Sequence, residues 1–148
     1  MPSFQTLANI ADIYIPLLAF LCAWLLYQYS LKRNRLKLVC LGGLLVVSIA
    51  LVYAIRFMDK YFEFWLYFGW DYSTHSALSL VLVMCLSVMW QRLLTLWLIS
   101  LLGYFLLMVY QQYHSVIDIV STVIVVAGIL LPLFYRISNT LTRHEPST

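Results

Sequence analysis

The chain has 148 residues, 64% of them hydrophobic and 10% charged, with a mean hydropathy of +0.90. A soluble domain carries about 25% charged residues, so this composition excludes an ordinary water-soluble fold and predicts a single membrane domain over residues 1–148. The net charge of +3 is no nucleic-acid signature, because the cations sit in stretches that flank apolar runs.

Taken in order, Met1–Asp12 is a short polar start without a cation, and no basic leader of a cleavable signal peptide is evident. The first predicted span covers 13–30, about the length an apolar helix needs to cross the hydrocarbon core. Lys32, Arg33, Arg35 and Lys37 follow, and then a second span over 38–55, where Gly42-Gly43 offers a close helix contact. Arg56–Lys60 reads as a short charged stretch. Tyr61–Trp70 has aromatics at seven of its ten positions, the composition of an interfacial belt or a helix lying in the headgroup layer.

The apolar run Ala77–Trp90 is too short to cross alone and predicts a span only as 73–90, starting inside the polar run Asp71-Tyr72-Ser73-Thr74-His75-Ser76. Further spans are predicted at 93–110 and 115–135, the last bent at Pro132, before a polar tail over 136–148. The expected fold class is therefore an all-α bundle of five transmembrane helices with one interfacial aromatic segment. Cys22, Cys40 and Cys85 stand singly inside apolar runs and read as small buried hydrophobes.

The positive-inside bias puts the cationic stretch 31–37, Arg92 and the tail in the cytoplasm, and the N-terminus outside. Five crossings then place 56–75 and 111–115 together on the extracytoplasmic face. The expected compartment is a bacterial inner membrane.

Two groups of residues carry chemistry. His114 and Asp118 are four apart, on one face of a helix, where a carboxylate can fix the tautomer of an imidazole. The plain alternative is a polar pair packed against another helix. Ionisable groups within spans are expensive, by roughly 2.5 kcal/mol or more, and so mark function by default. His75 follows Ser73 and Thr74 at a helix start, whose free N–H groups favour an anion, phosphate above all. An ordinary Ser/Thr cap beside an interfacial histidine is the alternative there. A divalent metal held by His75, His114 and Asp118 is a weaker reading, since no further ligand beyond Asp59 or Asp71 is evident.

Ser73-Thr74-His75-Ser76 resembles the Pro-Ser-Gly-His-Ser motif of the type 2 phosphatidic acid phosphatase superfamily, and His114-x3-Asp118 resembles the end of its last motif. The resemblance covers about 56–128. It implies a membrane lipid phosphatase in which His114 attacks phosphorus, Asp118 orients it and His75 protonates the leaving oxygen. Ser73 and Thr74 would bind phosphate, and no metal or cofactor is implied. Arg56 and Lys60 lie in the region of the family's first motif, in another order and spacing, and are the candidates to substitute for its phosphate-binding cations. The substrate class would be a phospholipid or an isoprenoid-type lipid phosphate. The sequence departs from the family at several points: the first motif is absent, Thr74 and Tyr72 replace its glycine and proline, and the expected Ser-Arg falls at Leu107-Met108. A sphingomyelin-synthase-like transferase of phosphodiester headgroups, which needs fewer cations, and a non-catalytic lipid-binding protein are the competing readings.

Overall fold

The computed structural model describes residues 4–143, and every regular element among them is helical. The helices are α1 (Phe4–Leu31), α2 (Arg35–Phe62), the four-residue α3 (Phe64–Tyr67), α4 (Thr74–Met89), α5 (Leu94–Tyr110) and α6 (Val116–Arg143), with a 3-10 turn at Gln91–Leu93. Four segments are long and apolar enough to cross a membrane: Asn9–Leu31, Arg35–Phe62, Gln91–Tyr110 and Val116–Leu141. Large apolar side chains such as Phe20, Val39 and Leu106 are exposed on their outer faces. A bilayer satisfies such a surface and water does not.

The sixteen-residue α4 is the shorter apolar helix, about 24 Å long against a hydrocarbon core of about 30 Å. It forms the centre of the bundle. Its apolar residues run around the whole helix, and Ala77, Val81, Val83, Cys85 and Leu86 are at most 1% exposed. Around it stand α1, α2, α5 and α6. The direction of each neighbour follows from its contacts with α4. Cys22 reaches Leu82 and Tyr29 reaches Met89, so α1 runs parallel to α4. Thr122 bonds Ser73, so α6 starts beside the start of α4. Val52 meets Tyr72 and Met108 meets Ser76, so α2 and α5 end there.

One end of the bundle therefore gathers the start of α1, the 56–75 connection and the 111–118 turn. The opposite end gathers the cations: of the nine Lys and Arg residues, only Arg56 and Lys60 belong to the first end. All five described carboxylates, Asp12, Asp59, Glu63, Asp71 and Asp118, lie at that first end.

Several sequence boundaries move. The helix α2 does not stop at 55 but continues through Arg56–Lys60 to Phe62, because no breaker intervenes before Glu63 takes a left-handed φ of 55°. At about 42 Å it outreaches the hydrocarbon, so its last turns carry charge without cost. Likewise α6 runs on to Arg143, through Pro132, over residues expected to belong to the tail. The rest of that tail lies outside the described residues. The Gly42-Gly43 pair makes no close contact: a Cβ at either position would meet nothing within 4 Å. The buried stripe of α2 runs through Leu41, Leu44, Ser48 and Val52, beside the glycines rather than over them. Cys22 and Cys85 are buried free thiols, and Cys40 is a half-buried one.

Candidate functional site

The turn that presents His114 is built by the backbone. Helix α5 closes with a Schellman pair, Tyr113 N–H to Met108 C=O at 3.1 Å and Gln112 N–H to Val109 C=O at 3.0 Å. Gln112 occupies the left-handed position, with φ 59°, that glycine usually fills. Helix α6 then opens with a capping box. Ser115 Oγ accepts from the Asp118 N–H at 3.3 Å, and Asp118 Oδ2 accepts from the Ser115 N–H at 2.9 Å and its hydroxyl at 2.7 Å. The other oxygen of Asp118 accepts the backbone N–H of Asp71 at 2.8 Å, tying the α3–α4 connection to the start of α6.

This corrects the expected role of Asp118. Both of its oxygens are engaged by Ser115 and Asp71, and none of its hydrogen bonds goes to His114. The carboxylate beside His114 is that of Asp71, with Oδ2 3.6 Å from Nδ1. Arg56 completes the row, its Nη1 donating to Asp71 Oδ1 at 3.5 Å while lying 3.7 Å from Asp59. Asp59 is held in turn by the Trp65 N–H at 2.9 Å. Arg56, Asp71 and His114 thus form a chain of alternating charge and imidazole.

Helix α4 starts on a Ser73 cap, whose Oγ accepts the Ser76 N–H at 3.3 Å and lies 2.8 Å from the Ser76 hydroxyl. The Ser73 N–H donates to Thr122 Oγ1 at 3.0 Å, and Ser73 is fully buried. Its hydroxyl therefore holds the helix together rather than facing a ligand. Thr74 is half-buried and His75 exposed, and their amides are the open donors of the helix start. Lys60 is exposed on α2.

His75 and His114 open onto one cavity of about 230 Å³, together with Ala11, Asp12, Tyr104, Met108 and Tyr113. No lysine or arginine lines it. Met108 stands in the lining at the position where the resembled motif carries its arginine, and its sulfur is 4.0 Å from the Ser76 hydroxyl. Burial holds His114 below the ordinary histidine value, against the opposing pull of the Asp71 and Asp118 carboxylates and with help from His75 and Arg56. The His114 Nδ1 lies 3.6 Å from Asp71 Oδ2, just beyond hydrogen-bond distance. Among the described residues, no three His, Cys, Asp or Glu side chains gather as a metal-binding set.

Asp12, Tyr104 and Tyr113 were not singled out by the sequence. They come from α1, α5 and the turn after α5, and only packing brings them together. The role of Asp118 was readable: Ser115-x-x-Asp118 is a capping-box spelling ahead of an apolar run. No family model, no curated protein and no solved structure matches this chain.

Proposed function

We propose that this protein is a membrane-embedded phosphoryl-transfer enzyme acting on lipid headgroups, with the cavity at the extracytoplasmic boundary as its active site. The observation that carries the reading is the shared cavity: one imidazole from the start of α4 and one from the turn before α6 line one small space, and the second has a carboxylate 3.6 Å from its Nδ1. A neutral imidazole aimed by a carboxylate is a nucleophile, and a second imidazole opposite it can carry the proton. That space lies beside the starts of α4 and α6, at one end of the apolar bundle, which supports a headgroup-level position.

In this mechanism His114 Nε2 attacks phosphorus and the P–O bond to the leaving alcohol breaks. His75 gives its proton to that oxygen. Water then attacks the phosphohistidine, passes a proton to His75 and releases the phosphate product. An acceptor alcohol in place of water makes the same chemistry a transfer. Asp71 Oδ2 stands 3.6 Å from Nδ1, outside hydrogen-bond reach, and in this mechanism it closes on the Nδ1 proton when substrate binds, keeping the tautomer that leaves Nε2 free to attack.

Hydrolysis of a lipid phosphomonoester is the simplest form of this reading, but such a group carries two charges and calls for cations. Arg56 is the nearest candidate, and it is engaged by Asp59 and Asp71. A phosphodiester headgroup carries one charge and suits a lining without lysine or arginine better. Purified protein in nanodiscs is to be incubated with phospholipids carrying labelled phosphate and quenched in base, which preserves phosphohistidine. Wild type should trap label and His114→Ala should trap none. His75→Ala should slow turnover of lipid about 100-fold or more while sparing an activated aryl ester, whose leaving group needs no proton. Label on another residue, or full activity in His114→Ala, rejects the mechanism. Binding without any label points to a lipid-binding protein.

A further inference from the structure

The cavity has a second half that phosphoryl transfer does not use. Asp12 enters it from α1, Tyr104 from α5 and Tyr113 from the following turn. Tyr104 is 4% exposed and stacked on Tyr14 with ring centroids 4.3 Å apart. Tyr14 is fixed in turn by a 3.0 Å hydroxyl contact to Ser100. Tyr104 is thus a rigid aromatic wall, whereas Tyr113 is 52% exposed at the mouth.

A carboxylate beside two phenol rings is the chemistry that receives an organic cation, by charge and by the negative face of the rings. It is also the wrong chemistry for a bare phosphate. At this end of the bundle five described carboxylates face two cations, and neither cation lines the cavity. An anion entering alone would meet Asp12 uncompensated. An anion that brings its own cation would not.

We infer that the cavity takes a zwitterionic phospholipid headgroup, its phosphodiester toward His75 and His114 and its ammonium toward Asp12, Tyr104 and Tyr113. The placement of the phosphate half rests on the phosphoryl-transfer reading, while the ammonium half rests on Asp12 and the two rings. A volume of about 230 Å³ lies below the range of about 300–1,000 Å³ usual for whole drug-sized ligands. It suits a headgroup whose acyl chains stay in the bilayer.

The test is binding, which needs no turnover. Full-length protein in nanodiscs is to be titrated with short-chain phosphatidylethanolamine, phosphatidylcholine and phosphatidylglycerol. Wild type should bind the two amine headgroups about tenfold tighter than the glycerol headgroup. Asp12→Asn should bring the three within about threefold of one another by weakening only the amine lipids, and Asp12→Glu should keep part of the preference. Tyr113→Leu, at an exposed position that folding does not depend on, should weaken the amine lipids in the same selective way. Equal binding of all three lipids by wild type, or a preference unchanged in both Asp12→Asn and Tyr113→Leu, overturns the inference. The two readings fail separately. A charge preference without label on His114 removes the catalysis and keeps the ammonium site. Label without a charge preference does the reverse.

Discussion

The carboxylate of Asp118 accepts the backbone N–H of Asp71 at 2.8 Å across 47 positions of sequence. That bond fixes the backbone of Asp71, whose own carboxylate then stands 3.6 Å from His114 Nδ1. Asp118 is thus structural and Asp71 faces the imidazole. The two carboxylates occupy different places, Asp118 in the cap of α6 and Asp71 beside His114.

This division predicts two different phenotypes. Asp118→Ala removes a buried acceptor of three hydrogen bonds and should lower thermal stability by about 1.5 kcal/mol or more, with activity falling alongside. Asp71→Asn keeps its backbone N–H and should leave the melting temperature near wild type while cutting turnover about tenfold or more. Asp71→Glu should restore part of the rate. Thermal melts and initial rates on the same preparations check the claim. Equal destabilisation by Asp118→Ala and Asp71→Asn would contradict it.

A pH profile follows from the burial of His114. In the proposed mechanism only the neutral imidazole attacks, and burial holds its folded-state value below the ordinary 6.5. The acid limb of kcat/KM should accordingly fall below pH 6.5. The Asp71 carboxylate raises the His114 value, so Asp71→Asn should move that limb further toward acid even as the rate drops. Stability has the matching sign. Between the folded and unfolded values the unfolded chain binds more protons, so the contribution of His114 is fully present above 6.5 and declines as pH falls through the lower value. An acid limb above 6.5 in wild type would refute the assignment.

The orientation is tested by topology reporters. With the cations at one end of the bundle and the carboxylates at the other, reporters fused at residue 34 and at the C-terminus should both read cytoplasmic. A reporter at residue 112 should read extracytoplasmic. If residues 34 and 112 report the same side, α4 does not complete a crossing and the site cannot lie where proposed.

The glycines of α2 give a stability prediction. With nothing within 4 Å of an added Cβ, Gly42→Ala and Gly43→Ala should each be neutral or stabilise by up to about 1 kcal/mol through helix propensity. Detergent-solubilised thermal melts measure it. A loss of more than about 1 kcal/mol would restore the close contact that the pair spells in sequence.

Composition by itself determined that the chain is apolar, because a mean hydropathy of +0.90 with 10% charge leaves no ordinary water-soluble fold, and its uninterrupted apolar runs of span length determined that it is helical. The helix starts at Ser73 and at 115–118 were also legible, since capping is local chemistry written within four residues. What sequence could not determine was which carboxylate meets which imidazole. A spacing of four says that two side chains share a helix face, but His114 lies before α6, in a turn, so the spacing did not apply to it. Nor could sequence place Asp12, Tyr104 and Tyr113 around one cavity, because they come from three elements whose directions are set only when α4 is enclosed. The short central helix made that decision. Being apolar on every side it demanded neighbours all around, and their alternating directions brought distant polar residues to one end.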